Sequence, residues 1–359
     1  MKKIQLHILE WFRENARDLP WRKTYDPYHV WISEIMLQQT QMDRVADYFG
    51  KWMQRFPDIA SITAAGEEDV LKMWEGLGYY RRARNILKSA HILLTQYGGR
   101  LPKKYEQLLR LPGIGRYTAA AITSIAFNRD HPLVDANIER LFARLFDLAQ
   151  PVKDKKMHAF IWQKAAELLP RGRAREFNQA LMELGALVCL PKNPRCKICP
   201  IRRFCKAYEK GNVQVRPVLL TPPRTVFIEM ATGILQHKGR ILVQKRKEKG
   251  VWANLWEFPG GRLEPGETPE MALIREYHEE TELTVGALQK ITTVQHSYTI
   301  YRVTLHCYFC TLLDASAKPV LHAAQEYRWV TFEDLAELAF PAGHRRLIGY
   351  LGNRPELLA

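Results

Sequence analysis

Cys189, Cys196, Cys199 and Cys205 follow one another as C-x6-C-x2-C-x5-C, which places four thiols within seventeen positions. A chain that gathers four soft ligands over so short a stretch can fold that stretch around one metal centre. Structural zinc sites usually come as two short C-x2-C-like pairs. Here only Cys196 and Cys199 are that close, and the other spacers are uneven. A four-cysteine 4Fe–4S cluster is a larger object that tolerates uneven spacers. The spacing favours the cluster; a zinc knuckle and incidental cysteines are the plainer readings. Between the ligands Pro191, Lys192, Asn193, Pro194, Arg195 and Lys197 form a basic, turn-rich segment. It reads as a loop held in shape by the metal and offered to phosphates. The other two cysteines, Cys307 and Cys310, fall in a strand-like run and read as core, so no disulfide framework and a reducing cytoplasm are expected.

A length of 359 residues predicts two domains. Apolar spacings of three and four recur over 4–16, 29–56, 67–74, 81–97, 104–110, 115–127, 136–147, 155–169 and 176–187, with Pro and Gly between them. The first 210 residues therefore read as an all-α domain. Residues 211–225, with Pro217, Pro222 and Pro223, read as an extended linker. Residues 226–359 read as an α+β domain, with strands over 226–235, 240–245, 292–295 and 301–312 and a helix over 269–280. Of 53 Lys and Arg, 36 lie in residues 1–210, together with 22 of 38 Asp and Glu, so nearly all of the net charge of +15 belongs to the helical part. That excess suits a polyanionic partner. No apolar run approaches the ~20 residues that span a bilayer, and the start, Met1-Lys2-Lys3-Ile4, leads into a helix bearing His7, Glu10 and Arg13 rather than a signal peptide.

Three elements carry chemistry. Leu111-Pro112-Gly113-Ile114-Gly115-Arg116-Tyr117 reads as a helix–hairpin–helix turn. Gly113 and Gly115 permit a tight hairpin whose backbone N–H groups can hold a phosphate without reading sequence. About twenty residues on, Val134-Asp135-Ala136-Asn137 presents a carboxylate just before a helix, where Asp135 could be an N-cap. Third, Glu34 is the only charged residue between Asp26 and Asp43. A solvated helix face normally shows several charges, so Glu34 is buried with a partner or placed in a site. Burial favours the protonated acid, and a general acid needs that proton.

The cysteine spacing is similar to the cluster loop of the endonuclease III superfamily. Leu19-Pro20-Trp21-Arg22, Ser33 to Thr40 (S-E-I-M-L-Q-Q-T), Trp74-Glu75-Gly76-Leu77-Gly78-Tyr79-Tyr80-Arg81, the hairpin, V-D-A-N and the four cysteines appear in the order found in MutY-type adenine DNA glycosylases. The resemblance covers residues ~5–210 and extends to the domain layout. It implies removal of adenine mispaired with 8-oxoguanine or guanine in double-stranded DNA, a 4Fe–4S cluster on the four cysteines, and a cytoplasmic, monomeric enzyme with no membrane partner. It implies Glu34 as the acid that protonates adenine and Asp135 as the carboxylate that stabilises the sugar cation. Tyr117 and Asn137 hold the site around the sugar. Gln39 and Tyr79 wedge into the base stack, and Trp21 and Arg22 belong to the pocket. Endonuclease III-like lyases carry Lys at the position of Tyr117, and a phenol cannot form an imine, so hydrolysis without efficient strand cleavage is expected.

In the second domain Gly261, Glu267, Arg275, Glu276, Glu279 and Glu280 fit the Nudix signature G-x5-E-x7-R-E-U-x-E-E-x-G-U, with Glu282 where the pattern has Gly. MutY-type proteins usually keep the Nudix fold without these carboxylates. We expect the domain to read the base opposite adenine, with the glutamates vestigial; Mg²⁺-dependent diphosphate hydrolysis is the rival reading. In the loop from Gln295 to Ile300 the family's Phe-Ser-His is replaced by Tyr298-Thr299-Ile300. A ring and a hydroxyl remain for the mispair, and the third contact is lost. A thymine or uracil mismatch glycosylase and an inactive DNA-binding module are the remaining alternatives.

Overall fold

A computed structural model describes residues 2–221 and 223–357; Met1 and Pro222, which figured in the readings above, lie outside the described residues. The chain divides into two compact units, Met1–Ala64 with Asn85–Pro222, and Ala65–Arg84 with Pro223–Ala359. Chain order and packing thus part company at Ala65–Arg84, which carries the Trp74–Arg81 motif yet packs with the C-terminal residues.

The first unit is helical. Its central helix, Pro27–Leu37, starts where Asp26 accepts hydrogen bonds from the Tyr28 and His29 N–H groups and Pro27 presets the first turn. Eight of its eleven residues are buried, Tyr28 and Val30–Met36, which is why its sequence carries almost no charge. Trp31 of this helix and Trp52, Phe56, Phe142 and Phe177 elsewhere in the unit are fully buried, each contributing roughly 1.5–3 kcal/mol of transfer free energy. The single helical stretch expected over 29–56 is two helices, Pro27–Leu37 and Met42–Arg55. The break falls at Gln38–Gln41, where Gln39 takes a left-handed backbone (φ 56°) and Gln38 Nε2 donates to Thr118 Oγ1 at 3.2 Å. No Gly or Pro marks this break, so apolar periodicity ran through it. Ile59–Ala64 is a further short helix that the periodicity did not reveal.

The second unit is a seven-stranded mixed sheet with a helix on each face. Strands β1 (Val226–His237), β2 (Arg240–Arg246), β3 (Trp256–Glu257), β4 (Gly260–Arg262), β5 (Val285–Tyr298), β6 (Tyr301–Leu312) and β7 (Ala324–Val330) run in the order β3-β2-β1-β6-β5, with β4 on β1 and β7 on β2. Only β1 and β6 pair in parallel. Alternation sends Ile234, Ile241, Val243 and Cys307 to one face, under Leu347, Ile348 and Leu351 of the helix Ala342–Gly352. It sends Ala231, Leu235, Leu242 and Cys310 to the other, under Ala272, Leu273 and Tyr277 of the helix Pro269–Thr281. β3, β4, β7 and the helix Ala342–Gly352 lay outside the sequence reading, and β5 is far longer than the 292–295 expected. Short strands and partly exposed ones give weak alternation. The segment Ala65–Arg84 is tied in by polar bonds: Phe340 N and Arg345 Nε both donate to Glu75 Oε1 at 2.8 Å, and Tyr80 Oη donates to the Phe340 carbonyl at 3.1 Å.

Candidate active site

In the helical unit a cavity of about 740 Å³ is lined by Trp21, Arg22, Glu34, Gln39, Gly115, Tyr117, Asp135 and Asn137, among others. Separate elements converge on it, among them the 3₁₀ turn Pro20–Arg22, the helix Pro27–Leu37, the starts of the helices Arg116–Ala121 and Ala136–Leu145, and the helix Ala174–Leu187. Residues separated by a hundred positions in sequence thus share one wall. Tyr117 Oη donates to Glu34 Oε2 at 2.6 Å. Asp135 caps its helix, with Oδ1 accepting from Ile138 N at 2.7 Å, while Oδ2 accepts from Asn137 Nδ2 at 2.7 Å. The N-cap role and the place in the cavity are therefore not alternatives.

Glu34 is only 5% exposed. Desolvation lifts its pKa from 4.5 to about 7; the Tyr117 hydroxyl pulls it down, the Asp135 charge pushes it up and Arg22 pulls it down again. Tyr117 is held well above its usual range by burial and by Glu34, so it remains a neutral donor. Burial also raises Asp135, against hydrogen bonds from Ile138 and Asn137 and the charge of Arg140 that favour its carboxylate. The cavity thus pairs a carboxyl able to carry a proton near neutral pH with one whose anionic form is held by N–H donors. Burial raises both carboxyls, so what distinguishes them is their partners, a phenol on Glu34 and N–H donors on both oxygens of Asp135.

Several residues here escaped the sequence reading. Glu183, 1% exposed, receives Arg17 Nε and Arg22 Nη2, each at 2.8 Å, which fixes the Trp21–Arg22 turn. Trp21 packs edge-on against Phe49 at 5.4 Å. Arg140 Nη2 donates to Asn137 Oδ1 at 2.8 Å and to the Gly185 carbonyl, and its Nε donates to the Cys189 carbonyl. Gly185 lies within the helix Ala174–Leu187, and a Cβ there would stand 2.6 Å from the Asn137 Cβ. A glycine inside a helix costs stability, and that cost was the available signal of a close approach. In the hairpin Gly113 has φ +80° and no room for a Cβ, which would meet Asn85 at 2.7 Å. Gly115 instead is extended (φ −92°) with open space about it. The helix it starts runs into a π turn, Ile122–Ala126, with the Thr123 and Ser124 hydroxyls bonded to carbonyls four residues back.

Gln39 is exposed at the cavity rim in its left-handed conformation. Tyr79 belongs to the other unit. It too is left-handed (φ 49°), and its ring lies 5.7 Å from that of Tyr298. Trp252, which the sequence did not single out, meets Tyr298 edge-on at 5.9 Å. Thr299, at the tip of the β5–β6 hairpin, is exposed with φ 53°, an uncommon conformation for a β-branched residue.

Cys189, Cys196, Cys199 and Cys205 line one cavity, whose other walls are largely apolar: Leu141, Leu145, Val188, Pro194, Ile201 and Val213. All four are free thiols. Among the described residues no three His, Cys, Asp or Glu side chains stand close enough to hold a single metal ion. Four sulfur donors on one largely apolar cavity are a donor set that a metal centre could use.

The Nudix-signature carboxylates of the second unit have protein partners. Arg275 pairs with Glu267 at 2.7 Å, Glu276 at 3.1 Å and Glu279 at 3.2 Å, and Arg246 Nη1 donates to both oxygens of Glu257. Glu280 Oε2 accepts from Gln244 Nε2 at 2.8 Å and Gly260 N at 3.2 Å. Burial and the neighbouring Glu257 push Glu280 up to about 7. Glu282 is the helix C-cap in the left-handed region (φ 56°), the conformation that favours Gly there.

Comparison with known proteins finds two families in chain order. Residues 32–167 match the family described as "HhH-GPD superfamily base excision DNA repair protein", and residues 230–350 match the NUDIX domain family. The chain is 32% identical to the adenine DNA glycosylase of Rattus norvegicus, over 95% of this chain and 76% of that one. It is 38% identical to that of Buchnera aphidicola subsp. Baizongia pistaciae, over 70% and 72%. A solved thermostable thymine-DNA glycosylase superimposes with TM-score 0.54 at 33% identity, covering 58% of this chain and 96% of that structure. Among the described residues no helix is long and apolar enough to cross a membrane.

Proposed function

This chain belongs to the adenine DNA glycosylases, enzymes of base-excision repair, and from that premise we propose that it releases adenine lying opposite 8-oxoguanine or guanine in double-stranded DNA, by hydrolysis. The observation that carries the reading is the buried Glu34 carboxyl, raised to about 7 and bonded to Tyr117 in the cavity that Asp135 also lines. Adenine leaves poorly as an anion and well once protonated. Glu34 donates the proton to the ring as the glycosidic bond stretches, and an oxocarbenium-like sugar develops. Asp135, its carboxylate held by Ile138 N–H and Asn137, stabilises that charge. Water then completes the sugar and leaves an abasic site. Tyr117 stands where a lyase would need an amine, which supports base removal without strand cleavage.

Adenine must first leave the stack, at a cost of a few kcal/mol that is lower at a mispair. We assign Gln39, Tyr79, Tyr298 and Thr299 to the mispair, with the hairpin at Gly113 and Gly115 on the backbone phosphates. The strained backbones of Gln39, Tyr79 and Thr299 support this, since strain of about 1–3 kcal/mol persists where function requires it. Cys189, Cys196, Cys199 and Cys205 would hold a 4Fe–4S cluster, which supplies a rigid cross-link for the basic loop. The pairing of Glu276 and Glu279 with Arg275, and of Glu280 with Gln244 and the Gly260 N–H, supports a vestigial role for these carboxylates. The test is excision from duplexes carrying A opposite 8-oxoguanine, G, C or T. The reading expects 8-oxoguanine and G to lead, and equal rates opposite C would refute the mispair assignment.

A further inference from the structure

Arg144 is 1% exposed, the most deeply buried guanidinium of the helical unit, and it lines the cysteine cavity. Its donors reach the carbonyls of Val213, Arg216, Leu190 and Pro191 at 2.6–3.1 Å and Cys189 Sγ at 3.3 Å. Among the described residues none of these partners is a carboxylate. Asp147, three positions on, pairs with Lys210 and Arg216 instead. A guanidinium stays charged, and a fully buried charge is costly unless an opposite charge compensates it. Neutral carbonyls satisfy its hydrogen bonds without supplying that charge.

We propose that Arg144 is the built-in counter-cation of the metal centre held by Cys189, Cys196, Cys199 and Cys205, an inference that rests on the cluster reading above. Four thiolates around a 4Fe–4S core leave a net charge of about −2, and such charge, together with hydrogen bonds to sulfur, sets both the stability and the potential of a cluster. The cavity walls are largely apolar, so one fixed positive charge in contact with a ligand sulfur weighs more than it would in water. The same side chain binds the loop residues Leu190 and Pro191 to Val213 and Arg216, so loss of the centre would loosen both stretches together.

The test uses the full chain and the variants R144K and R144Q. Iron and zinc content of the wild type is measured first and decides the cluster reading by itself. If the charge matters, R144K, which keeps it but gives up the planar fork, retains several-fold more metal than R144Q. In any R144Q molecules that keep a cluster, one-electron reduction shifts to a lower potential than in the wild type. Circular dichroism of both variants reports whether the helical unit has folded. Equal metal loss in R144K and R144Q, or an unchanged potential in R144Q, would overturn the proposal and leave Arg144 as a hydrogen-bonding brace only.

Discussion

Each unit holds one glutamate whose carboxyl is raised to about 7, the buried Glu34 in the helical unit and the half-buried Glu280 on the Nudix-signature helix, and desolvation is the largest cause of both shifts. Their surroundings differ. Glu34 faces a cavity of about 740 Å³ in which a tyrosine hydroxyl is its hydrogen-bonding neighbour and a second carboxyl stands across the space. Glu280 is bonded by Gln244 and the Gly260 N–H, and the carboxyls near it are held by Arg246 and Arg275. A perturbed acid marks a reaction site only when there is room beside it for a reactant and the proton has somewhere to go.

The sharpest way to break this contrast is to remove the proton donor. Glu34→Gln should lower single-turnover excision by about 10²–10⁴-fold while binding to a mispaired duplex persists. Excision near the wild-type rate would remove Glu34 as the acid. A second substitution tests whether the cavity depends on its packing. In Gly185→Ala the added Cβ would stand 2.6 Å from that of Asn137, which should displace the amide from Asp135. Overpacking of this kind costs about 1–3 kcal/mol in stability, and a misplacement of ~1 Å can cost about 10²-fold in rate. Thermal unfolding and single-turnover kinetics measured together check both. The smallest effect belongs to the other side of the comparison. Glu279→Gln with Glu280→Gln should leave excision opposite 8-oxoguanine nearly unchanged. Mg²⁺-dependent release of pyrophosphate from nucleoside triphosphates by the wild type, lost in that double variant, would show that the second cluster also performs chemistry.

The two regions were not equally legible. Glu34 stood out because a long uncharged helix made its charge conspicuous, and Asp135 because it precedes a helix at a set distance from the hairpin. Glu183 lines that same cavity, and Arg140 and Gly185 stand against Asn137 on its wall, yet their identities are ordinary in a helix and only the fold brings them there. The break at Gln38–Gln41 left no Gly or Pro behind. In the second unit the signature residues were readable as a motif, but the bonds of Glu280 to Gln244 and the Gly260 N–H, beside the Arg246–Glu257 pair, depend on how the strands meet the helix. The packing of Ala65–Arg84 with the C-terminal residues is equally invisible in sequence order, since nothing local distinguishes Glu75 bound to Arg345 from a solvated glutamate.

The most direct test of the contrast is the pH dependence of kcat/KM, which reports groups of the free enzyme. An acid raised to about 7 is protonated below that pH and loses its proton above it, so adenine release should fall as pH rises through about 7. The wild type and Glu280→Gln should show the same fall at the same midpoint, because Glu280 shares the shift but not the reaction. A flat wild-type profile across that range, or a fall that disappears in Glu280→Gln, would contradict the account.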